Sequence, residues 1–101
     1  DPFLVAQYRC SQGVYSMDTA LYLHQLSDRN PVKLSFTIPS GWNSTLLTNS
    51  SCYRFFYIKE SLWKKGQSTV LSAYGNILTV YNVERTICDC IRKIDELVQR
   101  I

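Results

Sequence analysis

A chain of 101 residues, 46% hydrophobic and 19% charged, fits one domain with its own core and excludes a disordered segment. Its 11 basic and 8 acidic side chains leave +3, sparser than the dense basic stripe of a dedicated nucleic-acid module. No apolar run is long enough to cross a bilayer, and no signal peptide is visible.

Asp1-Pro2 opens a first helix, with Asp as N-cap and Pro at the first helical position. Leu4, Val5 and Tyr8 share one side, and Gln12-Gly13 ends it. Val14 to Thr19 opens a second helix, with Ser16 as N-cap and Asp18 suiting the first-turn dipole. Met17, Ala20, Leu21, Leu23 and Leu26 cover much of its circumference, which predicts deep burial. Arg29-Asn30-Pro31 stops it.

Leu34, Phe36 and Ile38 alternate with Lys33, Ser35 and Thr37, the period of a half-buried strand ended by Pro39-Ser40-Gly41. Trp42 to Ser51 reads as a polar loop, with Leu46-Leu47 anchoring a turn inside it. Tyr53 to Ile58 is a second strand, and aromatics at odd and even positions suggest a central place in the sheet. Glu60 to Gly66 suits one helical turn, with Trp63 buried and Lys64-Lys65 exposed. Thr69–Leu71 and Ile77–Tyr81 pair as a hairpin across residues 72–76. Asn82 then caps a terminal helix. Its apolar residues Val83, Ile87, Ile91, Ile94, Val98 and Ile101 are spaced by fours and threes, so they share a face expected to lie on the sheet. The order gives an α+β domain: a mostly antiparallel sheet of about four strands, with N-terminal helices and a C-terminal helix packed on one face.

Cys10, Cys52, Cys88 and Cys90 leave two readings open. Free thiols in a cytoplasmic protein are one. A secreted, disulfide-stapled binding module is the other, favoured by the sequons at Asn43 and Asn49. Cys88 and Cys90 point apart on a helix and are spaced poorly for zinc.

His24, the only histidine, lies one turn before Asp28, so the two can touch; the expectation is a structural His24 satisfied by backbone or by Asp28. Arg85 and Asp89 are four apart and can pair, while Glu84 suits the first-turn dipole. Arg29 can cap carbonyls or present a fork to phosphate. Lys59, Lys64 and Lys65 around Trp63, with Arg92, Lys93 and Arg100, could assist nucleic-acid binding, but Glu60, Asp95 and Glu96 interrupt them. No phosphate loop, zinc-protease helix or nucleophile elbow appears, and no catalytic residue, metal or cofactor is expected.

Two blocks carry a family resemblance. Val80-Tyr81-Asn82-Val83-Glu84-Arg85-Thr86-Ile87-Cys88-Asp89 resembles the YxxERTxxD signature of AbiE-type abortive-infection antitoxins of type IV toxin–antitoxin systems. Gly13 to Pro31 is similar to the same family's GvyShxTALxlHxLxDRxP block, departing at Met17-Asp18 and Ser27. The resemblance implies a bacterial, cytoplasmic, non-enzymatic phage-defence protein. It would counter a nucleotidyltransferase-like toxin, without a stable complex being required, and contribute to repression of the shared operon. It makes Arg29, Glu84, Arg85 and Asp89 the residues of interest. It also implies that these 101 residues are a single C-terminal antitoxin domain, with operator DNA bound mainly by a winged-helix domain ahead of it.

Overall fold

The computed structural model describes residues 1–42 and 51–99. The expected turn at Leu46-Leu47, both sequons, Arg100 and Ile101 lie outside them. The described residues form four helices and five strands in the order α1 (Pro2–Arg9), β1 (Val14–Tyr15), α2 (Met17–Leu23), β2 (Leu34–Pro39), β3 (Tyr53–Ile58), α3 (Glu60–Trp63), β4 (Gln67–Leu71), β5 (Ile77–Tyr81) and α4 (Val83–Gln99). The α+β class holds, but the sheet is five-stranded and mixed, in the order β3-β2-β1-β5-β4. β1 pairs antiparallel with β2 and parallel with β5, β2 and β3 are parallel, and β4–β5 is the expected antiparallel hairpin.

The extra strand is β1, which the sequence reading assigned to the opening of the second helix. Two residues are too few to show alternation, yet Val14 and Tyr15 are the centre of the sheet and fully buried. Gly13 lets the chain enter there. A Cβ at that position would sit 2.6 Å from both Cys10 Sγ and Phe36 Cδ1. The second helix is consequently short. It ends at Leu23, Gln25 turns the chain with φ of +62°, and Leu26 is exposed. β3 is an edge strand and not a central one, and Tyr57 on it faces solvent. Trp63 is half-buried, its indole N–H donating to Gln12 O at 3.0 Å.

The two faces of the sheet differ in chemistry. On β2, Phe36 and Ile38 point to one side and Ser35 and Thr37 to the other. The Phe36 side is apolar: Tyr15 stacks on Phe36 at 4.4 Å, and Phe3 of α1 meets Tyr15 edge-on at 5.8 Å. Ala6, Cys10, Leu78 and Val80 complete that core. The Thr37 side is polar and still buried. Thr37 Oγ1 donates to Ser16 Oγ (2.9 Å), Thr19 Oγ1 accepts from Ser35 N (2.9 Å), and Asp18 Oδ1 accepts from Ser35 Oγ (2.9 Å). No buried side-chain polar atom among the described residues lacks a partner.

The helix α4 lies on this polar side, and its orientation corrects the expectation from periodicity. Its buried residues are Thr86 and Asp89. Val83, Ile87, Ile91, Ile94 and Val98 are instead between 38% and 62% exposed. Periodicity finds an apolar stripe but not what covers it. The polar face docks, Thr86 Oγ1 donating to Tyr81 O and the Arg85 guanidinium to Leu62 O and Lys65 O, and the stripe turns outward.

Candidate functional site

Both motif blocks meet at the β5–α4 junction. Asn82 caps α4 as expected, with Oδ1 accepting from Arg85 N at 2.8 Å. The Tyr81 carbonyl receives two donors, His24 Nε2 at 2.8 Å and Thr86 Oγ1 at 3.2 Å. A carbonyl can only accept, so His24 carries its proton on Nε2. Of the two partners expected for a structural His24, backbone and Asp28, the structure gives backbone. The helix ends before Asp28, and the imidazole reaches back to β5. Tyr81 OH donates to Trp63 O at 2.8 Å, and burial pushes its phenol up to about 12.

Arg85 is the hub of the junction. Its guanidinium lies 4.2 Å from the Tyr81 ring centroid. Nε donates to Asp89 Oδ1 and Oδ2 at 3.1 and 2.9 Å, and one terminal nitrogen donates to Leu62 O (2.8 Å) and Lys65 O (2.7 Å). It thereby ties the start of α4 to the end of α3. Gly66, at φ +78°, leaves room for this, since a Cβ there would lie 2.9 Å from Arg85 Cβ. Asp89, only 5% exposed, also accepts from Arg92. The Arg85–Asp89 pairing expected from four-residue spacing is therefore present, and buried. Arg92 joins it from three residues on; the sequence reading placed Arg92 in a surface cationic group. The spacing of three from Asp89 is the signal that would have found it.

A cleft of about 160 Å³ opens beside this cluster, between α4 and β3, lined among others by Met17, Thr37, Phe56, Arg85, Asp89 and Lys93. It is smaller than the roughly 300 Å³ from which ligand pockets usually begin. Met17 on its floor has φ of +53°, an uncommon conformation for a side-chain-bearing residue.

The remaining candidates are dispersed. Glu84 is exposed in the first turn of α4. Arg29 is also exposed and lines a separate cleft of about 300 Å³ with Lys33, Arg54 and Asp18. Arg29 and Lys33 come from the loop before β2 and Arg54 from β3, so no sequence spacing signals that Arg54 joins them. Asp28 lines a third cleft, of about 630 Å³, with Phe3, Tyr22 and Tyr74.

All four cysteines are free thiols: Cys10 is buried, Cys52 and Cys88 are exposed, and Cys90 is intermediate. Burial raises the Cys10 thiol from 9.0 to about 11, so it behaves as a small apolar core residue. Among the described residues, no three His, Cys, Asp or Glu side chains converge as a metal site, and no helix is long and apolar enough to cross a membrane. No protein-family model matches the chain, and no curated protein matches it.

Proposed function

We propose that this chain is the antitoxin domain of a type IV toxin–antitoxin, phage-defence system, acting in the cytoplasm of a bacterium. It counters a nucleotidyltransferase-like toxin and contributes to autorepression at operator DNA, with no catalysis of its own. The observation that carries this reading is the spatial continuity of the two motif blocks. Tyr15 of the first pairs with Val80 of the second, and His24 donates to Tyr81 O. Residues 65 and 57 positions apart thus form one unit, as expected if both blocks encode one family's domain rather than two chance likenesses.

The motif residues then divide by exposure. Arg85 and Asp89 act through the fold, because their charges are spent on each other and on α3 carbonyls. Arg29 and Glu84, both exposed, are the residues available to a partner. Growth rescue tests the reading: the chain is co-expressed with the toxin encoded beside it. Rescue by the wild-type chain, lost in Arg29→Ala or Glu84→Ala without loss of folding, is the expected result. Failure of the folded wild-type chain to rescue would remove the assignment.

A second reading, an accessory nucleic-acid-binding domain, is favoured by one observation. Arg29, Lys33 and Arg54 line a single cleft against one carboxylate, Asp18, whose Oδ1 already accepts from Thr19 N and Ser35 Oγ. Binding to a DNA duplex that falls steeply with added salt, and loses slope in Arg54→Ala, would support it. Binding indifferent to salt would exclude it.

A further inference from the structure

Arg29, Lys33 and Arg54 contrast with the paired cations of the chain. Arg85 and Arg92 share Asp89, Lys64 meets Glu60, and Lys93 meets Glu96. The side chains of Arg29, Lys33 and Arg54 make no hydrogen bond or ion pair among the described residues. All three nevertheless line one cleft of about 300 Å³.

Strand register shows how they meet. Arg54 pairs with Ser35 in the parallel ladder of β2 and β3, so both side chains stand on the polar face of the sheet. Asp18 reaches the same place from α2, its Oδ1 accepting from Ser35 Oγ at 2.9 Å and from Thr19 N at 3.0 Å. Arg29 and Lys33 come from the loop between α2 and β2. Ser27, which also lines the cleft, accepts from Arg29 N at 3.2 Å and fixes the backbone there. Three positive charges less one negative leave the lining at +2. The charged ends serve no contact of the fold, and holding like charges together costs energy that a bound anion recovers.

We propose that this cleft binds a phosphate monoester as its dianion. Charge selects it first. A phosphate monoester carries roughly −1.5 to −2 at neutral pH, which balances the lining, whereas a carboxylate or a phosphodiester brings a single charge. Donor shape selects it next. The two guanidinium forks match pairs of phosphate oxygens, and Lys33 supplies a point charge for the third. Size agrees as well. At about 300 Å³ the cleft sits at the small end of the roughly 300–1,000 Å³ of ligand sites, enough for a phosphate and a small carrier. A small phosphate ester and the 5′ end of a nucleic-acid strand present this same group. The duplex of the second reading does not, because its backbone offers monoanionic diesters. Phosphate binding here stands with or without antitoxin activity.

Isothermal titration calorimetry of the full chain with inorganic phosphate tests the proposal, at about pH 7.5, where the dianion prevails. Acetate at matched ionic strength is titrated beside it. Saturable binding of one phosphate per chain is expected, about 10-fold or more tighter than acetate. Arg54→Ala, at an exposed site, is expected to keep the wild-type circular dichroism and to weaken phosphate binding by about 10-fold or more. Arg54→Lys, which keeps the charge and loses the fork, is expected to recover part of the loss. A short thymidine oligonucleotide bearing a 5′-phosphate is then compared with the same strand ending in a 5′-hydroxyl. A phosphorylated strand that binds more tightly than inorganic phosphate names the strand end as the source, and one that gains nothing over inorganic phosphate names a small ester. Phosphate binding that does not saturate, is no tighter than acetate, or is unchanged in Arg54→Ala overturns the proposal. So does tight binding of the hydroxyl strand equal to that of its phosphorylated form, which would hand the cleft to diesters and support the second reading. Arg54 lies outside both motif blocks, so loss of phosphate binding and failure of growth rescue are separate outcomes.

Discussion

The two faces of this sheet are both buried and are held by different means. Under α1 the contacts are rings and aliphatic groups: Phe3, Tyr15, Phe36, Leu78 and Val80. Under α4 they are hydroxyls and charges: Ser16, Ser35, Thr37, Thr86, Arg85 and Asp89. Packing on the first face is non-directional, so it supplies most of the driving force but tolerates small slips. Hydrogen bonding on the second face is directional and costly to leave unmade, so it fixes the helix to one rotation and register. The contrast explains why an amphipathic helix docks by its polar side.

Phe36→Ala should have the largest effect. It empties the middle of the apolar face and should lower stability by about 3–5 kcal/mol in urea unfolding. A cost under 1 kcal/mol would break the contrast, since the apolar face would then not be the main support. Asp89→Ala comes next, at about 3 kcal/mol, because it leaves the half-buried Arg85 guanidinium without its carboxylate. Arg92→Ala should cost far less, since the Arg92 side chain is 57% exposed and Arg85 still satisfies Asp89.

Titration sharpens the comparison from the apolar side. The Cys10 thiol is raised in the folded state from 9.0 to about 11, so folding favours its neutral form. Its contribution is complete below pH 9 and is lost as pH rises through the folded value of about 11, a total of about 3 kcal/mol. Unfolding midpoints should fall across that window, and Cys10→Ala should flatten the fall. Tyr81 adds a further loss nearer its own value of about 12. A smaller effect belongs to the cap. Asn82→Ala removes the acceptor for Arg85 N and should cost about 1 kcal/mol, with little change in helix content.

The sequence carried the local chemistry of this fold better than its long-range pairings. The Asn82 cap, the Arg85–Asp89 pair, the alternation of Leu34, Phe36 and Ile38, and the β4–β5 hairpin each rest on residues close in the chain. What failed rests on distant ones. β1 is two residues long and becomes a strand only because β2 and β5 flank it. β3 has aromatics on both sides yet is an edge, because what covers a strand face depends on elements elsewhere in the chain. The stripe on α4 was legible as a stripe, but which way it faces depends on the Leu62 and Lys65 carbonyls, some twenty residues back, that hold Arg85. Among the site residues, Arg85 and Asp89 were found by spacing, whereas the grouping of Arg29 with Lys33 and Arg54 exists only in three dimensions.

The orientation of α4 is the central claim, and one paired measurement tests it most directly. Urea unfolding of Asp89→Ala and Ile91→Gln is compared with wild type. Ile91 is 55% exposed and Asp89 is 5% exposed. The expected result is a loss of about 3 kcal/mol for Asp89→Ala and under about 0.5 kcal/mol for Ile91→Gln. The reverse order, a large loss at Ile91 and almost none at Asp89, would mean that α4 lies on the sheet by its apolar stripe and would contradict the account.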